Sequence, residues 1–385
     1  MKNILFIIDK ISSGGAQRVI LNLAKELNKY YNIYFCYFDT EDKEFRMDSK
    51  YYKNVTFINL NCGKSPSKLR KILNTKKRIS KLKKIKKIYN IDVSISFLTT
   101  PNYVNVKSKC NDKTIISIRN KMSEIDNKFL LNFLHKVALK KAGKIVNVTN
   151  SVMQDEILNF DADKNKMCVI NNYVDEDFIK KLSTENLTKN IEEKIKGKKV
   201  LINIGRFSEQ KNQILLLEAF KDVIKYIDNV LLILIGQGDL ENLYKNKIKE
   251  WNLEDKVLIL PFDINPYKYI KNSDVFVLTS KYEGMPNVIL ESLALNVPVI
   301  CLDSKSGVSD ILDFNGIYQN EDVKYLKNGI IIKDNKNVRE SLKNAIINIL
   351  TNEKYINMYK NVCVPNDLKK ENIINKWIKI INELL

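Results

Sequence analysis

Continuous apolar runs of strand length recur along the chain, separated by stretches in which apolar residues return every three or four positions. Asn3-Ile-Leu-Phe-Ile-Ile8 and Val230-Leu-Leu-Ile-Leu-Ile235 contain no polar residue beyond the first, the pattern of strands covered on both faces. The spacing predicts strands in the first half at residues 3–8, 32–38, 55–60, 92–97, 113–118 and 144–149, with helices such as 16–27 and 128–141 between them. A second series follows at 199–204, 230–235, 256–260, 274–279, 297–302 and 329–332. Strand and helix in alternation imply parallel sheets covered by helices, an α/β class, here twice over. The expected division is 1–180, a polar linker at 181–199, a second domain at 200–365 and a closing helix at 366–385. That last helix places Ile373, Ile374, Trp377, Ile380, Ile381 and Leu384 on one stripe. Neither a solenoid repeat nor a heptad array is present.

Composition adds little to this but excludes much. With 385 residues, 44% of them hydrophobic, the chain can bury two cores of domains of about 150–200 residues each. The six cysteines, Cys36, Cys62, Cys110, Cys168, Cys301 and Cys363, form no Cys-x-x-Cys pair, which suits reduced thiols better than disulfides or zinc. The first apolar run stops at Asp9 with no small-residue cleavage site after it, so no secretory signal is expected. No apolar run reaches the roughly 18 residues of a membrane span. The expectation is a cytoplasmic enzyme.

The candidate chemistry lies where strands end. After the strand Asp274-Val-Phe-Val-Leu-Thr-Ser280 come Glu283, Gly284, Met285, Pro286, Asn287 and Val288, then Glu291 inside a helix start. Open α/β sheets bind ligands at such carboxyl ends, and a helix amino terminus offers N–H groups and a positive dipole end to an anion. Pro286 suits a first helical turn. Glu291, about two turns in, returns to the face of the helix start. Val200-Leu-Ile-Asn-Ile204 leads to Gly205-Arg206-Phe-Ser-Glu-Gln-Lys211, where a guanidinium fork and an ammonium could together neutralise a diphosphate. Pairing of these cations with an acid such as Glu209 is the alternative, as a solvated loop acid is for Glu283. Gly236-Gln-Gly238 after the strand at 230–235 lets backbone approach closely, a weak signal alone.

In this order and spacing the segments resemble the retaining GT-B glycosyltransferases of glycosyltransferase family 4, the glycogen synthase-like group, in its bacterial polysaccharide and lipid-linked oligosaccharide type. The amino-terminal Ser12-Ser-Gly14-Gly15-Ala-Gln-Arg-Val is similar to the family's Gly-Gly-Ala-Glu-Arg-Val, with Gln17 for Glu. Arg119-Asn120 after the strand at 113–118 and Asn172-Tyr-Val-Asp175 also match family positions. Ser304-Lys-Ser-Gly307-Val-Ser-Asp310 departs from the common Gly-Pro-x-Glu form, with Val308 for Pro and Asp310 for Glu.

The resemblance implies a GT-B fold, two Rossmann-like parallel-sheet domains facing across a cleft, with the C-terminal helix returning to the first. It implies catalytic roles for Arg206, Lys211 and Glu283, the last on donor-sugar hydroxyls. Donor contacts are implied for Gly15, Gly205, Gly236, Gly238, Gly284, Met285, Pro286, Asn287, Val288 and Glu291, the last with the ribose diol as the partner its charge needs in an apolar helix. Gly14, Arg119 and Asn120 are expected on the acceptor side; Gly14 and Gly15 alternatively only permit a tight turn. The implied reaction moves a hexose or N-acetylhexosamine from a UDP-sugar to a glycan acceptor, polyprenyl-linked, with anomeric retention and no metal or other cofactor. His135, the sole histidine, stands between Leu134 and Lys136 and reads as a surface or helix-packing residue rather than a base. A sugar-nucleotide epimerase of similar fold and a non-catalytic sugar-nucleotide or membrane-binding protein are the competing classes.

Charge supplies one further expectation. Lys and Arg total 64 against 45 acids, a net charge of +19, and between Lys64 and Lys87 stand twelve cations and no acid. Leu69, Ile72, Leu73, Ile79, Leu82 and Ile85 keep helical spacing within them, giving a basic helix with a break expected near Asn74-Thr75. An anionic membrane surface at the inner face of the plasma membrane is its expected partner; the alternative is a solvated helix. Without interleaved stacking aromatics, nucleic acid is not expected.

Overall fold

The structure is a computed structural model that describes residues 1–12, 14–39, 52–63, 68–124, 129–303, 307–312 and 321–385, with the backbone alone for 68–71. It comprises two compact units, Met1–Asn172 with Lys370–Leu385, and Tyr173–Lys369.

The first unit runs β1 (Asn3–Lys10), α1 (Gly15–Leu27), β2 (Asn32–Asp39), β3 (Val55–Asn59), α2 (Lys68–Ile88), β4 (Val93–Phe97), α3 (Thr99–Lys107), β5 (Lys113–Ile118), α4 (Phe129–Lys141), β6 (Lys144–Asn147), α5 (Asn150–Phe160) and β7 (Met167–Val169). Its seven strands lie in the order β3-β2-β1-β4-β5-β6-β7, parallel throughout. Central β1 buries Ile4 to Ile8 completely, which explains its unbroken apolar run. The chain leaves β1 in one direction and returns to β4 on its other side, so the carboxyl ends of β1 and β4 form the switch point at which open sheets admit ligands. Leu98, directly after β4, has φ 75°, a backbone region that L-residues rarely adopt.

The second unit contains α6 (Glu176–Leu182), α7 (Lys189–Ile195), β8 (Lys199–Ile204), α8 (Gln213–Val223), β9 (Val230–Ile235), α9 (Glu241–Glu250), β10 (Val257–Leu260), α10 (Tyr267–Lys271), β11 (Val275–Leu278), α11 (Asn287–Ala294), β12 (Val299–Asp303), α12 (Val308–Leu312), β13 (Val323–Leu326), β14 (Gly329–Lys333), α13 (Val338–Thr351) and α14 (Glu353–Met358). The order is β10-β9-β8-β11-β12-β14-β13, parallel except for β13, which is antiparallel to β14. The division between units falls at Tyr173, earlier than residue 180, because α6 packs on α10 and α11. Asn265 Nδ2 donates to Leu182 O at 2.9 Å within that contact, and 183–199 is built into the second unit with α7 rather than standing apart as a linker. A last helix, α15 (Lys370–Asn382), belongs to the first unit. There Trp377 stacks on Phe97 at 6.2 Å between ring centroids, and the Tyr31 hydroxyl donates to Asn382 Oδ1 at 2.8 Å.

Helix α2 is continuous through Asn74 and Thr75, without the expected break; residues 64–67 of the basic segment lie outside the described residues. One of its lysines is not a surface charge. Lys86 is buried, its Nζ donating to Asp112 Oδ2 at 2.8 Å, Asn105 Oδ1 at 2.7 Å and Asn105 O at 3.1 Å. Ser94 Oγ adds a bond to Asp112 Oδ2 at 2.6 Å. Burial lowers the Lys86 pKa and Asp112 opposes that shift. Removing one member of such a pair leaves an uncompensated buried charge, so Lys86→Met should destabilise the first unit by about 3–5 kcal/mol. Lys86→Met/Asp112→Leu should recover most of that loss in urea unfolding; a single variant as stable as wild type would show the pair to be dispensable.

Candidate active site

In the second sheet the order in which strands are added reverses between the parallel neighbours β8 and β11, and the loops at their carboxyl ends carry most of the polar residues singled out by sequence. Two glycines shape the first of these. A Cβ on Gly236 would stand 2.0 Å from Gly205 O, and one on Gly238 2.3 Å from Phe207 O. Their absence lets the loop after β9 lie directly on the loop after β8, where Phe207 N donates to Gln237 O at 3.0 Å and Leu240 N to Phe207 O at 3.2 Å. The buried Gln213 side chain donates to Arg206 O at 3.1 Å and accepts from the Tyr244 hydroxyl at 3.1 Å. Arg206 is thus fixed at its backbone, while its side chain is exposed and takes no hydrogen bond or ion pair among the described residues.

Lys211 and Glu283 meet across the reversal. Lys211 Nζ lies 2.5 Å from Glu283 Oε1, both side chains largely buried. Around them the two loops are zipped together: Gln210 Nε2 donates to Tyr282 O at 2.9 Å, Lys281 N to Gln210 O at 2.8 Å, and Thr279 Oγ1 to Lys211 O at 3.2 Å. The Lys211 stem runs beside Gly205, where a Cβ would touch it at an ordinary 3.4 Å. Lys211 therefore pairs with an acid 72 positions away rather than with Glu209, whose carboxylate lies 4.0 Å from Lys281 at the surface.

Helix α11 begins at Asn287, with Pro286 as its extended N-cap (φ −76°, ψ 106°) rather than inside the first turn. Its positive end therefore lies at the edge that carries Arg206 and Lys211. Gly284 O accepts from Gly307 N at 2.9 Å, joining the loop after β11 to the start of α12; Ser304 to Ser306 lie outside the described residues. Glu291 is buried in α11, with the Tyr267 hydroxyl 3.5 Å from its Oε1. Sequence reading missed Tyr267, Asn203 and Ser280. Asn203 interrupts an apolar strand, donates to Val277 O at 2.7 Å and keeps a buried Oδ1 without a partner among the described residues, as does Ser280 Oγ. A polar residue inside an apolar strand run was the signal for Asn203.

In the first unit, Gly14 is the N-cap of α1 and Gly15 its first residue. Arg119 follows β5 and is buried, Nη1 donating to Ser117 Oγ at 3.1 Å and Nη2 to Asn172 Oδ1, with the guanidinium 4.7 Å above the Phe97 ring. Burial brings its pKa down to about 9. Asn120 is exposed beside it. His135 is buried with Nε2 2.6 Å from Glu156 Oε2 and its ring edge-on to Phe160, a packing role; burial raises the Glu156 pKa.

Residues 185–362 match the profile of the family Glycosyl transferases group 1. The second unit is a group 1 glycosyl transferase domain. Over the whole chain the similarity extends to a Campylobacter jejuni N-acetylgalactosamine-N,N'-diacetylbacillosaminyl-diphospho-undecaprenol 4-alpha-N-acetylgalactosaminyltransferase, 27% identical and covering 94% of this chain and 93% of that one. An Escherichia coli UDP-Gal:alpha-D-GlcNAc-diphosphoundecaprenol alpha-1,3-galactosyltransferase is 30% identical over 66% of this chain and 62% of its own. Among solved structures, Anabaena HepE in complex with UDP superposes with a TM-score of 0.77 at 16% identity, covering all of both chains. The fold is GT-B.

Within the group 1 glycosyl transferase domain the glycines have separable roles. Gly236→Ala sets a methyl group against backbone oxygen and should cost about 1–3 kcal/mol or more, whereas Gly205→Ala meets only the flexible Lys211 stem. Thermal unfolding of the two variants tests this; equal midpoints would remove the close-approach argument.

Proposed function

We propose that the chain transfers a hexose or N-acetylhexosamine from a UDP-sugar to a polyprenyl-diphosphate-linked glycan, with retention at the anomeric carbon and without a metal, as a peripheral protein at the cytoplasmic face of the membrane. The observation that carries the reading is the convergence of Arg206, the Lys211–Glu283 pair and the α11 amino terminus at the carboxyl edge of β8 and β11. The two relatives named above act, by their names, on undecaprenyl diphosphate-linked saccharides, and the second takes UDP-Gal. Among the described residues no helix is long and apolar enough to cross a membrane.

The chemistry follows from charge. Breaking the bond between the sugar's anomeric carbon and the diphosphate oxygen leaves negative charge on that oxygen. Cations and N–H dipoles already fixed there stabilise it without reorganisation. Arg206, exposed and otherwise unengaged among the described residues, and Lys211 supply two positive charges, and α11 supplies its positive end. Attack by the acceptor hydroxyl on the same face, with the departing oxygen taking its proton, retains configuration and asks for no side-chain base. Glu283 has two tasks in this scheme. It holds Lys211, and its carboxylate accepts hydrogen bonds from the donor-sugar hydroxyls once the diphosphate draws the ammonium away. Glu291 accepts the ribose hydroxyls beside Tyr267.

Arg206→Ala and Lys211→Ala should each lower turnover by about 100-fold or more, the scale for one charge-stabilising donor, read as UDP release in the presence of acceptor; near-normal rates in both would refute the assignment. Glu283→Gln should bind UDP several-fold more tightly by calorimetry, because the nucleotide no longer competes with a carboxylate for Lys211, while transfer falls. Weaker UDP binding in that variant would remove the competition. Transfer should survive EDTA, and donor incubated alone should yield no epimer.

A further inference from the structure

Helices α2, α3 and α4 form one layer on the first sheet, α2 against α3 and α3 against α4. Each connects parallel strands, so each runs back along the sheet and starts at its carboxyl edge. At that edge α4 exposes Phe129 (91% accessible), Leu130 (60%) and Phe133 (55%), and α2 exposes Leu73 (62%) and Ile72 (54%). Behind these apolar heads both helices turn basic on the same outward stripe. On α4 the sequence continues through exposed Lys136 and Lys140. On α2 it continues through exposed Lys76, Lys77, Lys83, Lys84 and Lys87.

We propose that this edge of the first unit docks on an anionic phospholipid surface, the Ile72–Leu73 turn of α2 and the first turn of α4 dipping among the acyl chains and the lysine stripes lying on the headgroups. Apolar residues ahead of cationic stripes are what such an interface selects, and large exposed apolar side chains gathered at one edge call for a partner. The charge pattern decides between lipid and a second copy. A two-fold dimer across this edge would set lysine stripe against lysine stripe, whereas an anionic leaflet neutralises both. The inference rests on the proposed transfer to a lipid-linked acceptor, which would be presented at this surface. It shifts the expected contact from the basic segment alone to two helix heads.

Sedimentation of the full chain with phosphatidylcholine vesicles containing about one quarter phosphatidylglycerol tests it, since cationic stripes need anionic lipid. Binding should fall with added salt, fall on pure phosphatidylcholine, and drop about tenfold or more in Phe129→Ser/Phe133→Ser, as loss of two inserted rings requires. A variant that pellets as wild type does, a wild type that stays in solution, or sizing that shows copies joined through this edge would overturn it. Thermal stabilisation by UDP, measured on the same preparations, separates the two readings. If it persists while vesicle binding is absent, the docking alone fails; if vesicle binding persists without it, the donor reading alone fails.

Discussion

The second unit is organised around a single ion pair. Lys211 follows β8 and Glu283 follows β11, and their contact joins the two loops where the strand order switches from one side of parallel β8 to the other. Three hydrogen bonds beside it bind the same loops through backbone groups, so the pair is held in register by a scaffold that does not itself depend on charge. That arrangement leaves the ammonium free to change partners without the loops coming apart. Partly buried pairs respond strongly to a new charge because little solvent screens them, which suits the diphosphate ligand proposed for this site.

The buried pair in the first unit makes the contrast. Lys86 and Asp112 are closed off from solvent, and Lys86 spends its donors on Asp112 and Asn105. Nothing is left over for a ligand. Arg119 belongs to the same kind: desolvated, bonded to Ser117 and Asn172, and laid over Phe97, which in turn stacks on Trp377 of the returning helix. Arg119 thereby joins β5 to Asn172 at the end of the unit and, through Phe97, to α15.

Most of the strands are legible as apolar runs because central parallel strands are buried on both faces and have no polar side to confuse the pattern. The two strands that sequence missed, β7 and β13, are edge strands of three and four residues, half-buried or less regular, too short for periodicity to register. The position of the domain division depended on where α6 packs, a tertiary choice that local composition does not encode. Glu283 and Lys211 were legible singly, as polar residues at strand ends; that they bind each other depends on β8 and β11 being neighbours, which is sheet topology. The glycines were read as places for ligand to approach, yet the atoms that a side chain would meet at Gly236 and Gly238 are Gly205 O and Phe207 O. They bring backbone to backbone, and the site follows from that.

The basic segment shows how burial sorts identical residues. Ile79, Leu82 and Lys86 occupy one helical stripe at spacings of three and four, and Lys86 goes inward with the first two. The spacing was visible in the sequence; the acid that makes burial tolerable was not, because Asp112 is 26 residues away on another element. Lys81 bonds to Leu60 O at 2.6 Å, while Lys76, Lys77, Lys83, Lys84 and Lys87 are exposed. A helix with twelve cations in its neighbourhood is therefore two things at once, a core element fastened by one internal lysine and a surface whose field is set by the others. Because the first role fixes the helix rotation, it also dictates which lysines the second can present.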